Sequence, residues 1–394
     1  MKNIIFLGLI SFFMDISSEM VYPIIPLYLV SAFGATPAIV GIIEGIAEST
    51  ASLLKVFSGY VTDKYKRKKP IAFIGYATGF LYKLALLFAS SWAGILTARV
   101  IDRLGKGIRT APRDVLVSES ADKNEMGKSF GIHKALDMAG SAIGILLAFL
   151  MLRTLGHSQA DYKMIFAVSV IPTLLALFMF AFVKEKKEPR ERKTREHFWK
   201  DFSALDGRLK LYLLVVFLFT LGNSSNSFLL LRAKSAGFDD SNVILLYFLY
   251  NLTASVLAVP FGKLSDKIGR KQVLTVGYLL FSVVYLGFAF AAKPVSFAMI
   301  FILYGIFTAM TAGVERALIA EIAPARLKGT MLGLHSTIAG IALLPASVIC
   351  GFLWESFGSA VPFIFGAAMS AVAAILLILF FHTPDENSIS AVQK

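Results

Sequence analysis

Two scarcities, of charge and of cysteine, restrict what this chain can be. Among its 394 residues only 16% are charged and 56% are hydrophobic, and the mean hydropathy is +0.70. In a typical soluble domain about 25% of the residues are charged. The single cysteine, Cys350, lies inside an apolar run and cannot form a disulfide framework. The composition therefore excludes a water-soluble globular protein and a disulfide scaffold.

Motifs of nucleotide and hydrolase chemistry are also missing. The sequence has no glycine-rich loop followed by Lys and Ser or Thr, no nucleophile elbow and no zinc-hydrolase pattern. Its longest polar stretch is too short for a nucleotide-binding domain. We therefore predict that the chain is not an enzyme, needs no cofactor and does not drive transport with ATP by itself.

The net charge of +13 indicates membrane topology rather than a nucleic-acid partner. The basic residues alternate between loops and do not form one stripe with interleaved aromatics. With Lys2 placed inside, roughly 23 Lys and Arg fall on inner loops and about 5 on outer loops, the bias that orients membrane proteins. We predict a bilayer-embedded chain with both termini cytoplasmic, in a bacterial inner membrane.

Apolar stretches of about 20 residues, each long enough to cross the bilayer, recur along the whole chain. The first contains Pro23 and Pro26 and has no cleavage pattern, so we interpret it as a retained helix. The predicted spans, numbered 1 to 12, cover residues 4–30, 38–60, 71–91, 93–118, 129–153, 162–183, 211–231, 242–262, 272–292, 296–320, 329–353 and 361–381.

A polar central stretch divides the chain almost in half. The predicted organisation is an N-terminal bundle at 1–183, a cytoplasmic loop at 184–210, a C-terminal bundle at 211–383 and a cytoplasmic tail at 384–394. The central loop is rich in Lys, Arg and Glu, which suits a linker on the anionic inner leaflet, where each basic residue contributes about 1 kcal/mol. A regulatory docking segment is the alternative.

The two halves repeat each other. A shift of 203 residues places ten residues between Thr50 and Lys68 on identical residues between Thr253 and Lys271. A shift of 202 does the same for five residues from Glu119 to His133. A two-fold repeat of six spans implies a site between the bundles, near the midplane of the membrane.

The loop after span 8 carries the most specific motif, Gly262-Lys-Leu-Ser-Asp-Lys-Ile-Gly-Arg-Lys271. It resembles the signature loop of the major facilitator superfamily, and span count, central loop and repeat agree with that family along the whole chain. The resemblance implies an all-α membrane protein of two pseudo-symmetric six-helix bundles. It also implies a monomeric secondary transporter of a small molecule that works by alternating access.

The resemblance assigns a gating role to both copies of this motif. In the family, charged pairs of the loop stabilise the outward-facing state, and glycine permits the tight turn. The first copy has Lys66 where the pattern has glycine, and charges that only enforce topology are the alternative. The gating candidates are Gly59, Asp63, Arg67, Gly262, Asp266, Gly269 and Arg270.

Acidic side chains lie at membrane depth in spans 1 and 2. Asp15 and Glu19 share one helical face with Tyr22, and Glu44 and Glu48 share a face of span 2. A charge at the bilayer centre costs about 2.5 to 3.5 kcal/mol, so these carboxylates should face the protein interior or a water-filled cavity.

Span 4 carries the densest set of charges, which all fall on one side of the helix. Its segment Leu96 to Gly107 resembles the family's helix 4 motif, which implies a role of Arg99 in proton coupling. The repeat gives the charged positions uncharged counterparts in span 10, which places the functional residues in the first bundle. The candidates of span 4 are Arg99, Asp102, Arg103, Lys106 and Arg109.

Span 5 adds His133, Lys134 and Asp137, which could relay protons, although the repeat of His133 at His335 favours a scaffold role. The carboxylates of spans 1 and 2 with His133 and Asp137 could surround a divalent metal. Their dispersion over separate helices gives that signal little weight, so we predict no metal site. Glycines at 140 and 144 predict close helix packing. The antiporter branches of the family that the chain resembles carry a Gly-Pro motif on this helix. No proline accompanies the glycines here, so the resemblance does not imply export.

These features predict a secondary transporter in which protonation of the acidic residues switches their pairing with the bases of span 4. The four cations of span 4 favour an anionic or zwitterionic substrate. If the acids neutralise them, the substrate would be apolar or cationic, as in multidrug efflux, or a metal or chelator. A membrane enzyme and a non-transporting receptor are further alternatives.

Overall fold

The computed structural model describes residues 2–65, 68–120, 126–185, 207–291, 293–322 and 328–380. Within them, the side chains of 55–65, 126–131, 320 and 328–330 are left undescribed. Helices are the only regular secondary structure in this part of the chain. Most of the predicted central loop and the C-terminal tail lie outside the described residues.

The helices correspond to the twelve predicted spans. Span 1 consists of Lys2–Val21, a 3-10 turn at Tyr22–Ile24 and Ile25–Phe33. Spans 2 to 5 are Pro37–Tyr65, Lys68–Phe88, Trp92–Ser120 and Met126–Leu155, and span 6 is Gln159–Val168, Val170–Met179 and Phe180–Phe182. Span 7 is Gly207–Gly222 with Ser227–Ser235, followed by Asp240–Ile268, Arg270–Phe290, Pro294–Thr311 with Val314–Ile322, Lys328–Phe357 and Val361–Phe380.

Eleven of these spans are long and apolar enough to cross a membrane within the described residues. Span 4 is the exception by composition, since its 29 residues include the charged face described above. Its charges are nevertheless inside the protein, because it packs between spans 2 and 3. Phe88, Phe290 and Val295, in contrast, expose more than 70% of their side chains at the perimeter, where lipid can cover them.

Spans 1 and 7 are interrupted, which the hydropathy pattern did not predict. Span 1 tightens into a 3-10 turn at Tyr22, where Pro23 and Pro26 cannot donate backbone hydrogen bonds. Span 7 is non-helical between Gly222 and Ser227. Interruptions at membrane depth leave polar backbone groups that must be satisfied inside the protein or a cavity. Both interruptions face the centre of the molecule.

Glycines bring the helices of the first bundle close together. A Cβ atom on Gly140 would lie 2.3 Å from the carbonyl oxygen of Phe12, and one on Gly144 would lie 2.5 Å from that of Ile16. The predicted close packing of span 5 is therefore found, against span 1. Between the bundles, span 2 packs on span 11 and span 5 on span 8.

The bundles also contact each other through the second halves of spans 1 and 7. We call the end with Lys2 and Gly207 the near end, and the end with the turn after Phe33 the far end. At the far end the second halves of spans 1 and 7 are in contact. There Asp240 of span 8 is 2% exposed, accepts a hydrogen bond from the Tyr162 hydroxyl of span 6 and pairs with Lys234.

Candidate functional site

A polar cavity of about 190 Å³ lies at the centre of the first bundle and extends to the second. Span 4 contributes five of its side chains, and eight of the nine candidates predicted in the first bundle line it. The ninth, Glu44, lies directly behind Arg99. We call this space the charged cavity; its walls are Asp15, Ser18, Glu19, Tyr22, Glu48, Tyr82, Arg99, Asp102, Arg103, Lys106, Arg109, Asn226 and Tyr247.

Arg99 is the most deeply buried charge of this cavity, with 1% of its side chain exposed. Its Nη2 lies 2.7 Å from Oε2 of Glu44, which is equally buried, and 3.8 Å from Oε1 of Glu48. The guanidinium also lies 5.2 Å from the ring centroid of Tyr22. These carboxylates and an aromatic face, together with Asp102, thus compensate the buried cation.

Arg103, one turn further along span 4, is also paired. Its Nη2 lies 2.9 Å from Oε1 of Glu48, and its Nε lies 3.6 Å from Oδ2 of Asp102. Asp102 is shared with Arg99 at 3.8 Å. Arg99 and Arg103 therefore belong to one network with three acids, as in the internal ion-pair arrangement that the sequence left open.

Lys106 and Arg109 differ from these two arginines. Within the described residues neither has an acidic partner within 4 Å, and Lys106 is exposed to the cavity. Arg109 is 5% exposed, and its guanidinium lies 4.7 Å from the centroid of Tyr76. These two cations remain available to an anionic group in the charged cavity.

Two carboxyl groups meet at the edge of this cavity. Asp15 of span 1 and Asp137 of span 5 lie close enough to hydrogen-bond to each other when one of them is protonated, and Lys134 lies 2.8 Å from Oδ2 of Asp137. A carboxylate has no hydrogen to donate, so this bond requires one proton on the pair. Asp137 was singled out in the sequence only beside His133, and its contact with Asp15 depends on the packing of span 5 on span 1.

His133 itself lies apart from that pair. It is 6% exposed, and its Nε2 lies 3.0 Å from Oγ of Ser11, which is 3.2 Å from the Tyr76 hydroxyl. The contacts join three spans in a buried polar chain, consistent with a scaffold role. Within the described residues no group of three or more His, Cys, Asp or Glu side chains is arranged to hold a metal ion.

A second cavity of about 340 Å³ lies in the second bundle and adjoins the first through shared walls at Tyr22, Glu48 and Asn226. We call it the aromatic cavity, since Phe219, Tyr250, Tyr304 and Phe307 line it. The remaining wall residues are Val216, Thr220, Asn223, Ser224, Ser225, Thr308, Thr311, Ala312, Glu315, His335, Ala339 and Leu343.

Sequence reasoning missed two charged residues of the interior. Glu315 lines the aromatic cavity, and Lys83 of span 3 is 0% exposed with no hydrogen-bond partner for its amine among the described residues. Lys83 was visible as a lysine at membrane depth. The 202-residue repeat could have indicated Glu315, because it places Glu315 at the charged residue Arg113 of span 4. The same repeat places its two neighbours, Tyr278 and His335, at Tyr76 and His133.

The gating motif of the second bundle forms the end of span 8 and a one-residue turn. Gly269 adopts a φ of 100°, a conformation that favours glycine, and the next helix begins at Arg270. Arg270 contacts Asp266 at 3.3 Å and Glu321 at 2.7 Å, both in the same bundle. A Cβ atom on Gly262 would meet open space.

The first copy of the motif is only partly described. Gly59 and Asp63 lie in the helix Pro37–Tyr65, at positions whose side chains are not described, and Arg67 lies outside the described residues. The gating role of both copies remains a prediction.

Comparisons with known proteins extend over the whole chain. The profile of the Major Facilitator Superfamily matches residues 7–239 and 212–393. An uncharacterised MFS-type transporter of Methanocaldococcus jannaschii is 39% identical over 383 residues, which cover 96% of this chain and 94% of the relative. The quinolone resistance protein NorA of Staphylococcus aureus is 29% identical over 161 residues, or 41% of each chain.

The fold is also that of solved transporters. The structure of a mutant of the nucleoside transporter NupG matches with a TM-score of 0.82 at 13% identity, and the match covers 96% of this chain and 100% of the other. At this identity the likeness concerns the fold alone. It confirms the predicted all-helical membrane fold of two bundles.

Proposed function

Because the chain belongs to the major facilitator superfamily of membrane transporters, we propose that it carries a small anionic or zwitterionic solute in a proton-coupled cycle. The solute would occupy the cavities between the bundles, and rocking of the bundles would expose it to each side in turn. The contact of the far halves of spans 1 and 7 supports a state that is closed at the far end.

The observation that carries the proposal is the difference between the two pairs of cations on span 4. Arg99 and Arg103 are held by Glu44, Glu48 and Asp102. Lys106 is exposed to the charged cavity without an acidic partner within 4 Å in the described chain. A carboxylate or phosphate of the solute would supply that partner, with Arg109 as a second donor.

The proximity of the Asp15 and Asp137 carboxyl groups supports coupling to protons, since two neighbouring acids can share one proton. A proton bound by the Asp15–Asp137 pair makes the charge in and around this cavity one unit more positive. Coulomb attraction then strengthens the binding of an anionic group, and loss of the proton weakens it. Binding of proton and anion would thus favour each other, as a symporter requires.

The orientation of the chain is part of the proposal. The excess of Lys and Arg on the near-end loops supports a cytoplasmic near end, with both termini in the cytoplasm. The membrane that we propose is a bacterial inner membrane. The state closed at the far end would then be open or poised to open towards the cytoplasm.

The proposal can be tested with purified protein in liposomes under an imposed pH gradient. A panel of carboxylates, phosphate esters and amino acids is offered, while radiolabelled uptake and the quenching of an internal pH dye report solute and proton. We expect at least one anionic or zwitterionic solute to accumulate together with protons. Lys106→Gln should weaken its apparent affinity about tenfold or more, the loss of one charge-assisted contact.

Lys293→Gln is the matched control, because it removes the same charge from an exposed site at the far end. It should transport as the unaltered protein does. Accumulation that Lys106→Gln leaves unchanged would contradict an anion site on span 4. Solute flux without proton flux would contradict coupling.

Multidrug-type efflux is the second candidate, favoured by the aromatic rings that line the second cavity and by the partial similarity to NorA. Its substrates would be apolar or cationic compounds. In the same liposomes these compounds would then exchange for protons, and Lys106→Gln would leave their transport intact.

A further inference from the structure

We infer that the aromatic cavity binds a cationic group of the transported solute through Glu315, so that the substrate is a zwitterion whose anionic end lies at Lys106. This inference rests on the proposed function and narrows its substrate class. It concerns the second bundle, in which the sequence indicated gating residues but no charged residue for substrate binding or proton coupling.

Glu315 is placed to attract a cation. Its Oε1 accepts a hydrogen bond of 3.1 Å from the Tyr278 hydroxyl, and its side chain is 18% exposed and faces the aromatic cavity. Within the described residues no Lys or Arg lies within 4 Å of it. One neutral donor and partial hydration leave the carboxylate with an unused capacity for an ionic partner.

His335 is a further neighbour, with Nε2 3.7 Å from Oε2 of Glu315 and no hydrogen bond to that nitrogen in the described chain. A neutral imidazole leaves the charge of Glu315 uncompensated. A protonated imidazole would replace the cationic group of the solute, so the two would compete for the same carboxylate.

The walls of the aromatic cavity also suit an organic cation. The ring centroids of Tyr250 and Tyr304 are 5.0 Å apart, and those of Tyr304 and Phe307 are 5.4 Å apart. Aromatic faces attract ammonium groups when water is excluded. No Lys or Arg is among the described residues that line this cavity, and its other acid, Glu48, is already paired with Arg103.

The two cavities together can hold a solute with separated charges. They share walls at Tyr22, Glu48 and Asn226, so a molecule can extend from one to the other. Glu19 is the competing acid, since it lines the charged cavity and its Oε2 has no hydrogen-bond partner in the described chain. It lies on the same side as the cations of span 4, whereas Glu315 lies on the opposite bundle.

The test measures binding to the purified full-length protein with a series of ω-amino carboxylates that carry two to eight methylene groups. The alkanoates and alkylammonium ions of equal length are the singly charged probes. We expect one zwitterion length to bind more tightly than both of its singly charged counterparts. Glu315→Gln should weaken that zwitterion about tenfold or more and leave the alkanoate unchanged.

Two further variants separate this inference from the proposed function. Lys106→Gln should weaken zwitterion and alkanoate alike, and if it weakens neither, the proposed anion site fails. Glu315→Asp keeps the charge on a shorter side chain, so the zwitterion that binds best should become about one methylene longer. A loss of folded protein would weaken the binding of every length and would not shift the preferred length. Glu355→Gln, at an exposed far-end site, is the charge control.

Several outcomes would overturn the inference. They are the absence of any zwitterion binding at about 1 mM or below, an equal loss of zwitterion and alkanoate in Glu315→Gln, and a loss of zwitterion preference in Glu19→Gln instead. A Glu315→Gln protein that keeps its preference for zwitterions but no longer moves protons would make Glu315 a proton site.

Discussion

Arg99 and Glu44 form a buried ion pair that also contacts the opposite bundle. Nη2 of Arg99 lies 2.7 Å from Oε2 of Glu44, and the same oxygen accepts a hydrogen bond of 3.2 Å from Ser225. Ser225 lies in the interruption of span 7, so the pair is in direct contact with the second bundle. The ion pair of span 4 is thus part of the interface that must rearrange during transport.

Glu44→Gln should destabilise the protein. It leaves the charge of Arg99 buried with only the more distant Glu48 and Asp102 as partners, and breaking a buried pair typically costs about 3 to 5 kcal/mol. We expect a loss of about 3 kcal/mol, visible as a lower midpoint of thermal unfolding in detergent. Glu355→Gln should change the stability by less than about 0.5 kcal/mol. Equal midpoints for the two variants would contradict the importance of this pair.

Asp15→Asn should uncouple transport from protons. The amide still hydrogen-bonds to Asp137 but binds no proton, so the charge of the cavity no longer changes during the cycle. We expect exchange of the solute across liposomes to persist while accumulation driven by a pH gradient is lost. Asp137→Asn should act in the same way, because in the proposed cycle the two neighbouring acids bind one proton between them. A pH gradient that still drives accumulation in both variants would exclude the pair as the coupling site.

Tyr162→Phe should loosen the far end. It removes the hydrogen bond to Asp240 and leaves a buried carboxylate with Lys234 as its partner. The loss of about 1 kcal/mol from the closed state raises the open population about fivefold.

The opening can be followed at one engineered thiol, because Cys350 is the only native cysteine. Ser227 is fully buried in the far half of span 7. In a Cys350→Ser background, Ser227→Cys therefore places the single thiol at a site that reagents reach only when the far end opens. Its reaction with a membrane-impermeant maleimide should be faster in Tyr162→Phe than in the parent. An unchanged rate would show that this contact does not hold the far end closed.

Gly140→Ala should disturb the packing of spans 1 and 5. The new methyl group would lie 2.3 Å from the backbone oxygen of Phe12, which cannot move without its helix. We expect a loss of about 1 to 3 kcal/mol of stability. Gly313→Ala is the matched control, since a Cβ atom there meets open space. If both variants unfold at the same midpoint, the close approach is not important for stability.

The sequence predicted the fold well because each span is a local property. Twenty apolar residues are enough to identify a helix that crosses a bilayer, and the repeat near 203 residues related the two bundles. The interruptions of spans 1 and 7 were not predicted, because hydropathy averages over about 20 residues. Of the two, the prolines at 23 and 26 were a visible signal, whereas the break after Gly222 had none of that kind.

The residues of the candidate site were predicted better than their partners. The free-energy cost of a charged side chain in the bilayer places Asp15, Glu48 and Lys106 in the interior without any knowledge of the fold. Which of the span 4 cations are paired could not be predicted, because Arg103 and Lys106 are three residues apart and lie on the same face. Glu315 gave no comparable signal, because the repeat places it at the charged residue Arg113 and not at an uncharged one.

By itself the sequence determined a membrane protein of two repeated six-helix bundles, with ionisable residues of spans 1, 2 and 4 turned away from lipid. The reason is that exclusion from hydrocarbon acts on each residue separately. Only the tertiary structure decided that Arg99 and Arg103 are neutralised while Lys106 is exposed, that Asp15 meets Asp137, and that Glu315 faces the cavity from the other bundle. Those relations depend on which helices face each other and at what height, and a pair contact of a few ångströms has no local signal in the chain.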